Sequence, residues 1–300
     1  MTEQTVSRES VVQLAPRRRN TGRIIKKQVI GLLLLIPLLI MAFIEIMPIM
    51  WMISTSLRDP AQSFELPPDF FPTSFKWQNY YAVLTSEKID FPLFFFNSLK
   101  IALIVTGSQL ITCSAAGFAF GRLRWPGRDV LFTIFLASMM VPGQVTTVPI
   151  FIIMRNLGAM DTHWALILPG LTSAFGIFLL RQYFMTLPAE LVDAARIDGA
   201  GFFEIYWRIM LPLVGPGLSA LGVFTFLGAW NNFYGPLLFL KSWDKMTFPI
   251  ALVTLTGYMG MGNRAHVLAG VMLSIFPVLL FFLFAQKFVI QGIALTGIKG

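Results

Sequence analysis

Residues 186–212 read TLPAELVDAARIDGAGFFEIYWRIMLP, and this polar interruption decides how the rest of the chain is read. Apolar runs long enough to cross a bilayer lie on either side, so the stretch is a loop between two spans. Its composition is that of folded structure. Thr186 is placed to cap a helix, and Pro188 and Glu190 suit its first turn. Leu191, Ala194 and Ala195 stand at i, i+3 and i+4 and make one small-residue face. Asp198 and Gly199 stop that helix and turn the chain. A second short helix, rich in aromatic residues, runs from about Phe202 to Met210 before Leu211 and Pro212 lead into the next span. A helix–turn–helix between spans suits the docking of another protein. A helix lying on lipid carries a Lys/Arg-rich polar face, whereas this one sets Glu190, Asp193 and Asp198 against Arg196.

The composition around this loop demands a lipid solvent. Of the 300 residues 56% are hydrophobic and 13% charged, and the mean hydropathy is +0.71. Soluble domains carry about 25% charged residues, so a water-soluble globule, a disordered chain and a disulfide-rich secreted domain are all excluded. The single cysteine, Cys113, excludes an internal disulfide or a multi-cysteine metal site and reads as a small buried apolar residue. Six segments reach the ~20 apolar residues that a crossing needs: about Val29–Met52, Phe95–Phe118, Val130–Met154, Trp164–Tyr183, Leu213–Leu238 and Val267–Phe288. The first is too long for a secretion signal and ends in bulky Met50-Trp51-Met52 where small residues are required. The expected fold is therefore all-α integral membrane with six transmembrane helices. A basic tail (1–28) precedes a six-span transmembrane domain (29–290) containing the cytoplasmic loop 184–212, and a short tail (291–300) follows.

The net charge of +8 is not a nucleic-acid patch, because seven of the 23 Lys and Arg residues fall in the first 27 positions, just ahead of the first apolar run. The loops on the side of the N-terminus hold 15 bases and those on the opposite side seven. By the positive-inside rule both termini and the 186–212 loop face the cytoplasm.

The loop also resembles a known family. Ala194 and Ala195, then Gly199 four positions on, then Ile209, Leu211 and Pro212, with Glu190 ahead, are similar to the "EAA" loop of ABC importer membrane subunits. Asp198-Gly199-Ala200 is the variant of the carbohydrate-uptake, maltose-type class. The acid nearest the alanines is Asp193, which departs from the family pattern; of the two, Glu190 is favoured for the acidic role. The segments Met140–Gln144 with Pro149, Trp230–Phe233 and Gln291–Gly300 resemble the family's third-span, fifth-span and C-terminal motifs. The resemblance implies a type I ABC importer permease fold in a bacterial or archaeal plasma membrane. It implies a second homologous permease subunit, two cytoplasmic ATPase subunits and an extracytoplasmic sugar-binding protein as partners. Glu190, Asp193, Ala194, Ala195, Asp198 and Gly199 are then the ATPase-coupling residues, and Thr296, Gly297 and Lys299 reach the ATPase interface. ATP and Mg belong to the partner ATPases; this chain has no G-x-x-x-x-G-K-[ST] loop, so no cofactor is expected on it.

Polar residues inside spans need a reason, since a mid-bilayer charge costs roughly 2.5–3.5 kcal/mol on insertion scales. Glu45 is the one acid within these spans, and Lys100 is placed to snorkel. Asn231 and Asn232, between Trp230 and Tyr234, offer the amides and stacking faces that a sugar requires. Gln144 and Thr147, with Thr146, form a second polar cluster. Both clusters are pathway candidates, with packing as the alternative role. Phe75, Trp77, Tyr80 and Tyr81 fit an interfacial aromatic belt on a short surface helix, and Gly257–Gly262 a shaped external loop. His163 and His266 are far apart near span ends; no Ser-His-Asp set, carboxylate pair or zinc spacing stands out, so no enzyme site is expected. The readings weighed against a sugar importer are an ABC permease for a polyol or glycerol phosphate and, of another class, a gradient-driven transporter, which would need more intramembrane charge.

Overall fold

The computed structural model describes residues 21–62, 70–71, 74–86, 89–259 and 263–296. Residues 1–50 and 51–300 form two separate packing units. The first contains most of α1 (Thr21–Ser56), which holds Pro37 and Pro48 and exposes its apolar side chains from Ile30 to Ile49. In water such a helix would be unstable; in hydrocarbon it needs nothing more than its own backbone bonds.

The second unit is built around α3 (Phe91–Arg122). Asp90 starts this helix by accepting the Leu93 N–H at 3.0 Å, with Pro92 in its first turn. Against it pack α7 (Ala174–Thr186), α11 (Gly215–Trp230) and α13 (Phe248–Met259), and α14 (Arg264–Thr296) packs on α11 and α13. One aromatic-rich cluster, including Phe91, Phe94, Phe226, Trp230 and Phe248, surrounds the N-terminal end of α3. A second, including Phe118, Leu180, Phe184, Tyr206 and Met210, surrounds its C-terminal end. Lipid tails are as apolar as Leu, so no hydrophobic force draws spans together and close backbone approach must. Gly117 and Gly121 supply it. A Cβ on Gly117 would stand 2.9 Å from the Arg181 backbone nitrogen, and one on Gly121 3.4 Å from the Arg181 carbonyl oxygen. The small-xxx-small pair thus seats α3 directly on the backbone of α7. Cys113 is fully buried in this seam, as its composition suggested.

Among the described residues four helices are individually long and apolar enough to span, and six spans result when two bent pairs are each counted as one. The expected third span, Val130–Met154, is not one rod. It consists of α4 (Arg128–Ser138) and α5 (Gly143–Asn156), bent by 102°. Pro142, extended at ψ 134°, stands in the break, where it lacks an N–H to continue the helix and disfavours a helical residue before it. The fifth, expected as Leu213–Leu238, ends at Trp230, and residues 202–213 meet α11 at 79° across Val214. The fourth runs from α6 (Trp164–Ile167) through a 3₁₀ turn at Leu168–Gly170 into α7, with non-helical residues at 171–173. Where a plain loop was weighed between the last two spans, α13 is an apolar helix too short to cross; Gly257 belongs to it, and 260–262 lie outside the described residues. The expected surface helix is α2 (Gln78–Leu84), with Trp77 and Tyr81 exposed and the Tyr80 hydroxyl 2.8 Å from Ser56 Oγ.

The loops following α5 and α12 (Tyr234–Phe239) are joined by Asp161. Its carboxylate accepts the backbone N–H groups of Lys241 and Ser242, each at 2.8 Å, and the Ser242 hydroxyl, and pairs with Lys245 at 3.2 Å. Asp161 holds φ +57°, a left-handed conformation that Asp and Asn tolerate. His163 completes the join through the Lys245 carbonyl oxygen at 2.9 Å.

Two predictions follow from this packing. Gly117→Val should lower the thermal unfolding midpoint by an overpacking penalty of about 1–3 kcal/mol, well beyond Gly121→Ala; equal midpoints for parent and Gly117→Val in detergent would refute the close seating. The Ser242 and Lys241 hydrogen bonds hold the Asp161 carboxyl far below the ordinary carboxylate range. A depressed folded-state pKa stabilises above the unfolded value of about 3.9 and is lost as pH falls through the folded one. Asp161→Asn should therefore destabilise at neutral pH, with its deficit shrinking in acid; a deficit unchanged across an acid titration would rule this out.

Candidate coupling segment and membrane polar seam

The 186–212 loop folds as two arms. The first, α8 (Glu190–Ile197), starts without a side-chain cap: Thr186 is the last residue of α7, and its hydroxyl turns back to the Tyr183 carbonyl at 2.8 Å. The expected Thr186 cap is therefore absent, and the side-chain support at this junction falls on the C-terminal end of α7. Arg122 Nε donates to the Phe184 carbonyl at 2.8 Å and its Nη2 to the Leu187 carbonyl, satisfying the last carbonyls of α7. The stop of α8 is as read from the sequence. Gly199 has φ +85°, its N–H donates to Arg196, and the Ala200 N–H donates to Ala195 at 2.9 Å. This is a Schellman closure, which favours glycine at the left-handed position.

The second arm contains α9 (Phe202–Glu204), a π-helical stretch Ile205–Met210 and α10 (Leu211–Leu213). Tyr206 anchors it, with its hydroxyl 2.7 Å from Ser114 Oγ on α3. Val192 and Ala195 of α8 are buried beside Ile205 and Tyr206 in the same cluster. The expected Leu191–Ala194–Ala195 face is therefore divided: Ala195 turns inward, while Glu190, Leu191, Ala194, Ile197 and Asp198 remain exposed along the opposite side. Ile197 is 87% exposed and Phe203 77%, an apolar tip flanked by acids. Asp193 is exposed on the flank.

The pathway candidates separate. Trp230 is buried, stacked between Phe226 and Phe248 at centroid distances of 6.1 and 5.6 Å, so its faces are occupied within this chain. Asn231 and Asn232 stand beyond the end of α11, where mid-helix positions were expected. Asn232 Oδ1 accepts the Gly235 N–H of the first turn of α12 at 3.0 Å. The Thr147 hydroxyl donates to the Gly143 carbonyl at 3.1 Å, as does that of Thr146 at 2.9 Å. Gln144, Asn231 and Tyr234 keep exposed side chains. Thr296 closes α14, while Gly297 and Lys299 lie outside the described residues.

A polar group that sequence reading passed over is central. Gln109, buried in α3, donates through Nε2 to the Gly170 carbonyl at 2.9 Å. Its Oε1 accepts the hydroxyls of Ser173 and Thr225, each at 3.0 Å. Thr112 adds a bond to the Leu171 carbonyl at 2.8 Å, and Ser173 caps α7 through the Gly176 N–H. Together they satisfy the opened backbone of the fourth span. The signal was present: an amide amid an apolar run, facing a Pro169-Gly170 pair. Among the described residues no group of three His, Cys, Asp or Glu side chains is placed to hold a metal.

These helices and this loop are those of a membrane transport component, and the comparisons agree. Residues 114–293 match the family described as binding-protein-dependent transport system inner membrane component. The chain is 34% identical to the arabinooligosaccharides transport system permease protein AraQ of Halalkalibacterium halodurans, over 91% of this chain and 98% of that protein. It is 32% identical to the sn-glycerol-3-phosphate transport system permease protein UgpE of Yersinia enterocolitica, over 88% of this chain and 92% of that one. The fold superposes with a TM-score of 0.74 on a bacterial ABC transporter involved in the import of the acidic polysaccharide alginate, at 24% identity, covering 87% of this chain and 97% of that one. The chain belongs to the binding-protein-dependent inner membrane component family. It is an ABC importer permease subunit, a transport component and not an enzyme.

Replacing Gln109 by Leu leaves the Gly170 carbonyl and two hydroxyls without their partner, a loss of about 1–3 kcal/mol. Gln109→Leu should lower thermal stability by that order, and Gln109→Glu, which keeps only acceptors, should not restore it. A Gln109→Leu midpoint equal to the parent's would show the seam to be dispensable.

Proposed function

We propose that this chain forms one half of the pathway of an ATP-driven importer for an oligosaccharide or a related polyhydroxylated solute delivered by an extracytoplasmic binding protein. A homologous permease supplies the other half. Two cytoplasmic ATPases bind the ATP and Mg, and one of them docks on the exposed side of α8. The observation that supports this most is the two-sided coupling segment. Val192 and Ala195 lock α8 onto the transmembrane core, while Glu190, Leu191, Ala194 and Ile197 are left open. A push on the open side is transmitted inward through Tyr206 to Ser114 on α3. The excess of bases on the loops of the N-terminal side supports placing both termini and α8 in the cytoplasm. Gln144, Asn231 and Tyr234 are the exposed polar side chains best suited to meet solute. The resemblance to both oligosaccharide and glycerol phosphate permeases leaves polyhydroxylated solutes as the shared substrate class.

Affinity purification of the tagged chain from its own host should bring down an ATPase and a second permease. The purified complex should hydrolyse ATP faster with its binding protein and the correct sugar. Ile197→Asp should release the ATPase, and Gly199→Val, strained by about 1–2 kcal/mol at its positive φ, should leave ATP hydrolysis poorly coupled to transport. Retention of the ATPase by Ile197→Asp, or transport by the chain alone in liposomes, would overturn the reading.

A further inference from the structure

A cavity of about 620 Å³ opens between the C-terminal end of α3 and the α8 arm, lined by Arg122, Arg124, Arg128, Asp193, Arg196 and Phe202. Four guanidinium groups and one carboxylate face it. Two of the four are engaged elsewhere. Arg122 holds the carbonyls of Phe184 and Leu187 and feels the field of Glu190, while Arg128 pairs with Asp129 at 2.9 Å and donates to the Leu123 carbonyl at 3.1 Å. Arg124 and Arg196 meet no carboxylate among the described residues. Arg196 lies 5.1 Å over the Phe202 ring, a stacking contact that leaves its in-plane N–H donors free. The cavity therefore offers two forked donors, one on the α3–α4 connection and one on the coupling helix.

Its flank is apolar. A smaller opening that shares Arg124 and Arg128 continues past Trp125 to Val130. Val130, Leu131 and Ile134 are exposed on the first turns of α4, the opening leg of a bent span. A soluble anion would have no use for this flank, whereas a molecule with an anionic head and hydrocarbon chains matches both parts.

We propose that the cavity seats the anionic headgroup of a phospholipid, with its acyl chains along the exposed side of α4. Guanidinium groups bind phosphate bidentately, and basic pockets between membrane helices on the cytoplasmic side suit acidic headgroups. One phosphate reached by both Arg124 and Arg196 would tie the coupling helix to the α3–α4 connection, so that lipid charge tunes how the segment moves. Headgroup binding depends only on this cavity lying at a membrane surface; its effect on coupling rests on the ATPase reading above.

The test is native mass spectrometry of the full-length chain released from phosphatidylcholine nanodiscs with or without phosphatidylglycerol. The parent should retain phosphatidylglycerol in preference to phosphatidylcholine. The Arg124→Gln/Arg196→Gln double variant should lose that preference by roughly tenfold, the Arg124→Lys/Arg196→Lys variant should keep most of it, and Arg155→Gln, in the last turn of α5, should not change it. Equal retention by the Gln double variant and the parent would overturn the proposal. So would displacement of the lipid by inorganic phosphate at the concentration at which phosphatidylglycerol itself competes, which would mark a free-anion site. If the Gln variant instead releases the ATPase while lipid retention stays unchanged, the arginines serve an acidic surface of that partner and the lipid assignment is wrong. Because retention is read on this chain alone, loss of ATPase attachment and loss of lipid binding are separable results.

Discussion

In hydrocarbon a backbone carbonyl or N–H without a partner costs several kcal/mol, and no water is at hand to relieve it. Much of this fold is a response to that rule. The fourth span opens at residues 168–173, which would be prohibitive for an isolated helix. Here Gln109 and Thr112 of α3 reach across to Gly170 and Leu171, and Ser173 restarts the helix. The same device recurs nearer the N-terminal end of α3, where Asn97 donates to the Asp244 and Met246 carbonyls and Ser98 accepts the Phe248 N–H. One long unbroken helix thus carries the side chains that allow its neighbours to be irregular.

This division of labour explains what could be read in advance. The six apolar segments and the glycine stop at Gly199 are local signals, each carried by residues adjacent in sequence or one helical turn apart. The breaks depend on partners far away. Pro142 could be seen, but a 102° bend at that proline is a tertiary outcome, and the end of α11 at Trp230 depends on Phe95, Phe226 and Phe248 closing around the indole. Trp230 was attractive as a stacking face because aromatic rings serve solutes and cores equally well; sequence cannot tell which until the neighbours are known. Ala195 shows the same limit at smaller scale, since a small-residue face at i, i+3, i+4 does not reveal which side of it the core will occupy.

The 186–212 segment combines a buried and an exposed side in a few turns. Its inner side is fixed by Val192, Ala195 and Tyr206, and its outer side ends in Ile197 and Phe203, large apolar residues in open positions. The Schellman closure at Gly199 joins the arms through backbone hydrogen bonds from Gly199 to Arg196 and from Ala200 to Ala195. Because Gly117 leaves no gap between α3 and α7, these two helices respond as one body.

Asp161 has a consequence for protein engineering. Its carboxylate binds four donors from the loop after α12, and His163 holds the same loop through Lys245. The two loops are thus halves of one rim. A chimera that borrows only one of them from a relative would inherit an acid without its donors, or donors without their acid. Any exchange of these loops between relatives should therefore treat residues 157–163 and 240–247 as a single transplantable unit.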